Sequence, residues 1–241
     1  MMMEQAEKHE KVHRVFQRIY KKYDVMNSLI SFNRHKVWRQ KADCIVAAKQ
    51  GHQVIDVCCG TGDWTISMAK IVGPQGNVVG LDFSDNMLKI AELKREENQL
   101  ENIKLVSGDA MAIPYEDASF DRATIGFGLR NVPDYLTVLK EINRVLRPGG
   151  SLVCLETSQT KLPIYRQLYF FYFRFIMPLL GKLFAGSYKE YAWLNESAST
   201  FPDQKTLAEL FRKAGFENIS VCSLMGGIAA IHKGIKPLIQ K

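Results

Sequence analysis

The 241-residue chain has no apolar run long enough to cross a bilayer. Its most aromatic stretch, Tyr165 to Phe184, is broken by Arg166, Arg174, Pro178 and Lys182, short of the roughly 20 apolar residues a membrane helix needs. Cysteine is scarce and poorly placed for cross-linking. The five cysteines, Cys44, Cys58, Cys59, Cys154 and Cys222, are odd in number and lie in apolar runs, with no CxxC pair and no cysteine–histidine cluster. These absences exclude a disulfide framework and structural zinc, and they point to a reducing compartment. The N-terminus is charged from Glu4 onward and lacks the apolar core of a secretory signal, so a cytoplasmic location is expected. There is no internal repeat, low-complexity tract or linker. There is also no interleaved basic and aromatic RNA-binding motif, so no nucleic-acid partner is expected.

What is present is enough apolar sequence, 46% of residues, to bury one substantial core, together with a net charge of +7. Near the start, Lys8, Lys11, Arg14, Arg18, Lys21 and Lys22 recur at helical spacing beside Val12, Phe16, Ile19 and Tyr23. That pattern describes a basic amphipathic helix. Such a helix either lays its apolar stripe on the core or docks on an anionic membrane.

After a helical start to about Gly51, strand and helix patterns alternate, as they do in a parallel sheet with right-handed crossovers. Strands are expected at Val54–Val57, Asn77–Leu81, Ile103–Val106, Arg122–Gly126 and Ser151–Glu156. Helices are expected at Asp63–Val72, after an N-cap at Ser84, through Leu136–Leu146 up to the stop Arg147-Pro148-Gly149-Gly150, and around Thr206–Ala214. Ser220–Leu224 and Ile228–Ile231 form an antiparallel hairpin on the sheet edge. A single domain over 1–241 follows: a helical cap at 1–50, a core at 51–158, a hydrophobic insertion or lid at 159–200, and a helix and hairpin at 201–241.

Four motifs fall at the carboxyl ends of successive strands, where open α/β sheets bind ligands. In Val54-Ile-Asp56-Val-Cys-Cys-Gly60-Thr61-Gly62-Asp63-Trp64, the glycines let backbone approach a ligand at a helix N-terminus. A dinucleotide fingerprint wants a third glycine where this chain has Thr65, which disfavours NAD and FAD. S-adenosylmethionine has no phosphate, so it needs only the close backbone approach. Asp56 or Asp63 would attract its ammonium, and Thr61 would donate to its carboxylate. Asp82, twenty residues beyond Gly62, suits both ribose hydroxyls and is otherwise a turn residue. Asp109, beside Gly108 and Ala110, suits the adenine amino group or a plain turn. Gly126-Phe-Gly128-Leu-Arg130-Asn131 ends the fourth strand. There Arg130 and Asn131 either offer donors to an oxyanion or join a surface salt bridge. The fold class is therefore α/β, a class I S-adenosylmethionine-methyltransferase Rossmann-like fold, mostly parallel with an antiparallel C-terminal edge. The Asn/Asp-Pro-Pro-aromatic loop of amino methyltransferases does not occur.

Two longer strings narrow the reading. Tyr23-Asp24-Val-Met26-Asn27-Ser-Leu-Ile30-Ser31-Phe-Asn33-Arg-His35-Lys-Val-Trp38 and Arg144-Val-Leu-Arg-Pro148-Gly149-Gly150-Ser-Leu-Val-Cys-Leu-Glu156-Thr-Ser158 resemble the two signatures of the ubiquinone/menaquinone biosynthesis C-methyltransferases, and the likeness covers nearly the whole chain. Asn33 departs from the glycine common at that position, though asparagine also tolerates left-handed backbone.

The resemblance implies methyl transfer from S-adenosylmethionine to a ring carbon of a prenylated quinol, without a metal. Its expected partners are the quinol, a membrane surface and a second copy in a homodimer. Arg130 with Asn131 would stabilise a phenolate. His35 is the base candidate, or else a structural histidine beside Trp38, and Tyr23 and Asp24 are orienting or relay groups, or core. The aromatic insertion would wall the isoprenoid tail. Rival readings are methylation of a benzoquinol, sterol or small phenol, and a non-catalytic lipid- or RNA-binding module on a nucleoside-binding fold.

Overall fold

A computed structural model describes residues 2–159 and 197–238. The aromatic insertion, and with it the expected lid, lies almost wholly outside the described residues. Seven strands form one sheet: β1 Gln53–Val57, β2 Asn77–Asp82, β3 Ile103–Ser107, β4 Phe120–Gly126, β5 Leu146–Thr157, β6 Glu217–Leu224 and β7 Ala229–Ile235. Their spatial order is β3-β2-β1-β4-β5-β7-β6. The first five pair in parallel, whereas β7 runs antiparallel between β5 and β6. The expected hairpin therefore exists, and it inserts its second strand next to the parallel sheet. The order reverses at β1 and β4, and such a switch point opens the crevice that takes ligands.

Helices α1 Met2–Ile19, α2 Tyr23–Ile30, α3 Arg34–Val46, α4 Asp63–Val72, α5 Asp85–Glu97, α6 Tyr135–Val145 and α7 Gln204–Lys213 surround the sheet. Three of them are capped by side chains, one at the expected Ser84. The Ser84 hydroxyl caps α5 by accepting from the Met87 amide, and Asp134 and Asp203 cap α6 and α7. One core cluster, with Ile55, Val57, Leu81, Ile125, Leu139 and Phe211, lies beneath α6 and α7. A second, with Val54, Trp64, Met68, Val72 and Val153, lies beneath α3 and α4.

The helix ahead of Arg147-Pro148-Gly149-Gly150 ends as expected, one residue early, but those four residues are not a loop. α6 ends at Val145 and these residues already belong to β5, where the pairing jumps from Phe120↔Leu146 to Arg122↔Ser151. Gly149, at φ +79°, accommodates the bulge, and Lys236 clamps it from β7's exit through two backbone hydrogen bonds. The apolar stripe of α1 is also spoken for: Val12, Val15, Phe16 and Ile19 are buried with Met26 and Met87, beside Phe83. Of the two readings of that helix, packing on the core is the one the fold adopts.

Candidate active site

Two adjoining cavities open at the carboxyl ends of β1 to β4. The larger, about 500 Å³, lies between α2–α3 and the sheet edge, and the smaller, about 60 Å³, runs along the ends of β2 and β3. Tyr23, Cys58, Gly60, Gly126 and Phe127 line both.

The glycine turn after β1 sets the floor. Gly60 and Gly62 have φ of +56° and +79°, and a Cβ on Gly62 would lie 2.8 Å from that of Ala91, so α4 and α5 close together only around glycine. Above Gly60 there is open space, with nothing within 4 Å of where a Cβ would stand. Gly126 is as constrained, since a Cβ there would sit 2.7 Å from the Trp64 ring.

Asp82 stands at the end of β2, lines the smaller cavity, and accepts from the amides of Gly60 at 2.8 Å and Ser84 at 2.9 Å. Each amide uses one lone pair, which leaves acceptor capacity on both oxygens. Burial raises its pKa to about 6 against the pull of those amides. Asp109 and Ala110 line the same cavity, with the Asp109 carboxylate holding the Met111 amide at 2.8 Å. Asn131 also lies here, and its buried Oδ1 has no hydrogen-bond partner among the described residues. Arg130 instead lines the larger cavity, so the expected Arg130–Asn131 pair is divided between the two compartments.

Asp56 lines the larger cavity from beneath, and the hydroxyls of Thr65 and Thr124 donate to it at 2.7 Å each. Burial lifts its pKa to about 6 as well. Thr65, noted in the sequence only for not being glycine, thus supports the carboxylate. Asp63 is compensated by Lys94 at 2.6 Å and Arg39 at 3.0 Å, and its pKa is lowered despite partial burial. Between these two acids, Asp56 keeps the uncompensated charge. Thr61, expected to donate to the ligand, lines the larger cavity, and in this structure its hydroxyl donates to Asp24 at 2.7 Å. Asp24 also pairs with Lys94 at 2.6 Å, so it fastens α2 to the glycine turn. Lys94 was missed, for nothing in its helical surroundings distinguishes it from a solvated lysine.

Over the larger cavity, His35 is 7% exposed, and its Nδ1 lies 2.6 Å from the Ser31 hydroxyl. Burial, aided by Arg39, lowers its pKa to about 4, so it is neutral at neutral pH. Burial raises the pKa of the Tyr23 hydroxyl. Arg130 forms a buried ion pair with Glu156 at 2.5 Å and lies 5.7 Å from the Phe127 ring centroid. That pair is buried, with the two side chains 9% and 1% exposed. Glu156 carried no role in the sequence reading beyond its place in a signature. Burial pushes the thiols of Cys58 and Cys59 well up, which keeps them protonated packing groups.

The smaller cavity offers hydrogen-bond acceptors on Asp82 and the Asn131 oxygen, and open space above Gly60. S-adenosylmethionine suits both. A SAM-dependent methyltransferase of Aquifex aeolicus has the same fold, with a TM-score of 0.65, 19% identity, and coverage of 91% of this chain and 97% of that one. So does a SAM-dependent methyltransferase of Thermotoga maritima described as a possible histamine N-methyltransferase, at TM-score 0.70, 20% identity and coverage of 93% and 99%. Fold and site together define a class I S-adenosylmethionine-dependent methyltransferase. Residues 3–236 match the model of the ubiE/COQ5 methyltransferase family, and the chain belongs to that family. Among its relatives, the demethylmenaquinone methyltransferase of Bacillus cereus (strain ATCC 10987 / NRS 248) is 58% identical over 97% of this chain and 98% of its own length. That of Geobacillus sp. (strain WCH70) is 60% identical over 95% and 98%.

Proposed function

We propose that the chain methylates demethylmenaquinol at a ring carbon, giving menaquinol in menaquinone biosynthesis. The observation that carries this is the junction of a cavity suited to the nucleoside with a larger one in which a buried arginine, a neutral histidine and aromatic side chains face one space. Full-length relatives at 58–60% identity bear the name of that reaction.

Asp82 would accept from the ribose hydroxyls, Asp109 and Asn131 would meet the base, and Asp56 would offset the ammonium. When bound, S-adenosylmethionine supplies an electrophilic methyl carried on a sulfonium. The chain must make the ring carbon nucleophilic and keep water out. Loss of the hydroxyl proton does the former, since the phenolate pushes electron density onto the ring. Arg130, fixed by Glu156, stabilises that oxyanion and lowers the hydroxyl's pKa. His35 accepts a hydrogen bond from the hydroxyl and orients it. Complete transfer from a phenol of pKa near 10 to an imidazole near 4 would cost about 8 kcal/mol, so His35 alone is a poor final acceptor. Transfer to the ring carbon would take the methyl from the donor's sulfur, which keeps the bonding electron pair; the ring proton then leaves to restore aromaticity, and with His35 a poor acceptor the released protons pass to solvent.

No described helix is long and apolar enough to span a membrane. We infer a chain that works in the cytoplasm and reaches its lipid acceptor from the membrane surface. The quinone profile of cells lacking the protein tests the function. Accumulated demethylmenaquinone is expected, and an unchanged profile would refute the assignment.

A further inference from the structure

With the apolar stripe of α1 packed away, exposed apolar side chains gather elsewhere. Val25, Phe32 and Val37 are 67%, 72% and 53% exposed, and all three lie on α2, α3 or the corner between them. Phe32 and Asn33 have φ of +50° and +59°, so the corner is built from two successive left-handed residues. Asparagine tolerates that backbone, but a bulky aromatic there is strained. Burial does not compensate for the strain, because the ring is displayed to solvent. Strain of this kind marks sites kept for function.

The same corner is the mouth of the larger cavity. Phe32, Arg34 and Met225 each line the cavity and are each exposed.

Charge agrees. Residues 11–50 carry ten lysines and arginines against only Asp24 and Asp43. Asp24 is held by Lys94 and Thr61, and Asp43 by the Trp64 indole and Ser67 hydroxyl at 2.7 Å each, so both acids are already paired within the fold. What faces out at the corner is Arg34, Lys36 and Lys41 around the apolar side chains.

We propose that the α2–α3 corner is the surface by which the protein docks on an anionic lipid bilayer, with Phe32, Val25 and Val37 entering the interface and Arg34, Lys36 and Lys41 meeting the headgroups. Apolar insertion and cationic attraction add in such docking. The inference deepens the quinol reading, since docking here turns the cavity mouth toward the layer that holds a prenylated acceptor. Vesicle binding, however, is measured without turnover and stands or falls separately.

The test is sedimentation with vesicles of phosphatidylcholine alone and with vesicles containing phosphatidylglycerol. The wild type is expected to bind the anionic vesicles and to lose that binding in high salt. Two variants leave the cavity lining untouched: Lys36→Glu with Lys41→Glu, and Val25→Ser with Val37→Ser. Each basic residue is worth about fivefold near an anionic surface, so the charge variant should bind roughly tenfold or more weakly. The valine variant should also weaken binding. Both should keep wild-type affinity for S-adenosylmethionine and wild-type methylation of a short-tailed quinol in solution, while losing turnover on vesicle-embedded quinol. Arg14→Glu on α1 should bind like the wild type. Absent binding, equal binding to neutral vesicles, unchanged binding in both corner variants, or loss through Arg14→Glu alone would each overturn the proposal. So would self-association or RNA binding that the corner variants abolish while vesicle binding persists. Failure to methylate the soluble quinol would instead count against the reaction assignment and leave the docking result standing.

Discussion

The guanidinium of Arg130 lies 2.5 Å from the carboxylate of Glu156, with both side chains at most 9% exposed. Glu156 also receives the Thr157 amide at 2.7 Å, so the end of β5 fixes a cation that the turn after β4 supplies. The pair makes Arg130 a positioned charge in the larger cavity. Removing one member of a buried pair typically costs 3–5 kcal/mol because the other is left uncompensated.

Arg130→Ala should therefore lower turnover by at least a hundredfold with little change in S-adenosylmethionine affinity, because Arg130 faces the acceptor cavity. Glu156→Gln keeps the size and one acceptor but frees the arginine. Its expected signature is a lower kcat, a lower melting temperature and unchanged cofactor affinity. A Glu156→Gln enzyme with full kcat would show that Arg130 needs no positioning.

Asp82→Ala should raise the S-adenosylmethionine dissociation constant more than tenfold in calorimetry, since the ribose acceptor and the clamp on the Gly60 amide vanish together. Unchanged affinity would remove Asp82 from the site.

Asp56 and Asp82, both raised to about 6, invert the usual carboxylate contribution to stability. A raised folded pKa means the native state holds protons the unfolded chain has released. These two groups therefore favour the fold most below about pH 4, and that contribution is lost as pH rises through 6. Asp56→Asn should stabilise the ligand-free protein at neutral pH and flatten its stability between about pH 4 and 6. The same substitution should weaken S-adenosylmethionine binding. Chemical denaturation across that range checks the sign. A steeper pH dependence in Asp56→Asn would contradict the burial of a destabilising charge.

His35, neutral with a pKa near 4, should not produce a kinetic limb near pH 6.5. His35→Gln should reduce kcat by about tenfold, below the hundredfold or more that general acid–base groups usually supply, and leave the neutral-pH profile unchanged in shape. Disappearance of a limb near 6.5 in this variant would restore His35 as the principal base.

Much of this was legible in the chain because local chemistry and topology agree. Gly60, Asp82 and Asp109 follow successive strands, and their order alone brought them to one sheet edge. Ser84 as an N-cap and Asn33 as a left-handed residue were equally local facts. Contacts between distant elements were not legible. That Glu156 would meet Arg130 depends on the adjacency of β4 and β5, and that Lys94 would reach Asp24 depends on where the cap settles. The division of Arg130 from Asn131 arises from the short 3₁₀ turn Leu129–Asn131, which periodicity at this length does not reveal. The α1 pattern was truly two-valued, since an apolar stripe looks the same whether core or membrane covers it.

The central claim, that this site joins a methyl group to a quinol ring carbon, is tested most directly by nuclear magnetic resonance of the product formed from demethylmenaquinol and S-adenosylmethionine carrying an isotopically labelled methyl. A labelled methyl bonded to ring carbon is the expected result, with Arg130→Ala forming it at least a hundredfold more slowly. A label on oxygen, or none in the quinone fraction, would contradict it.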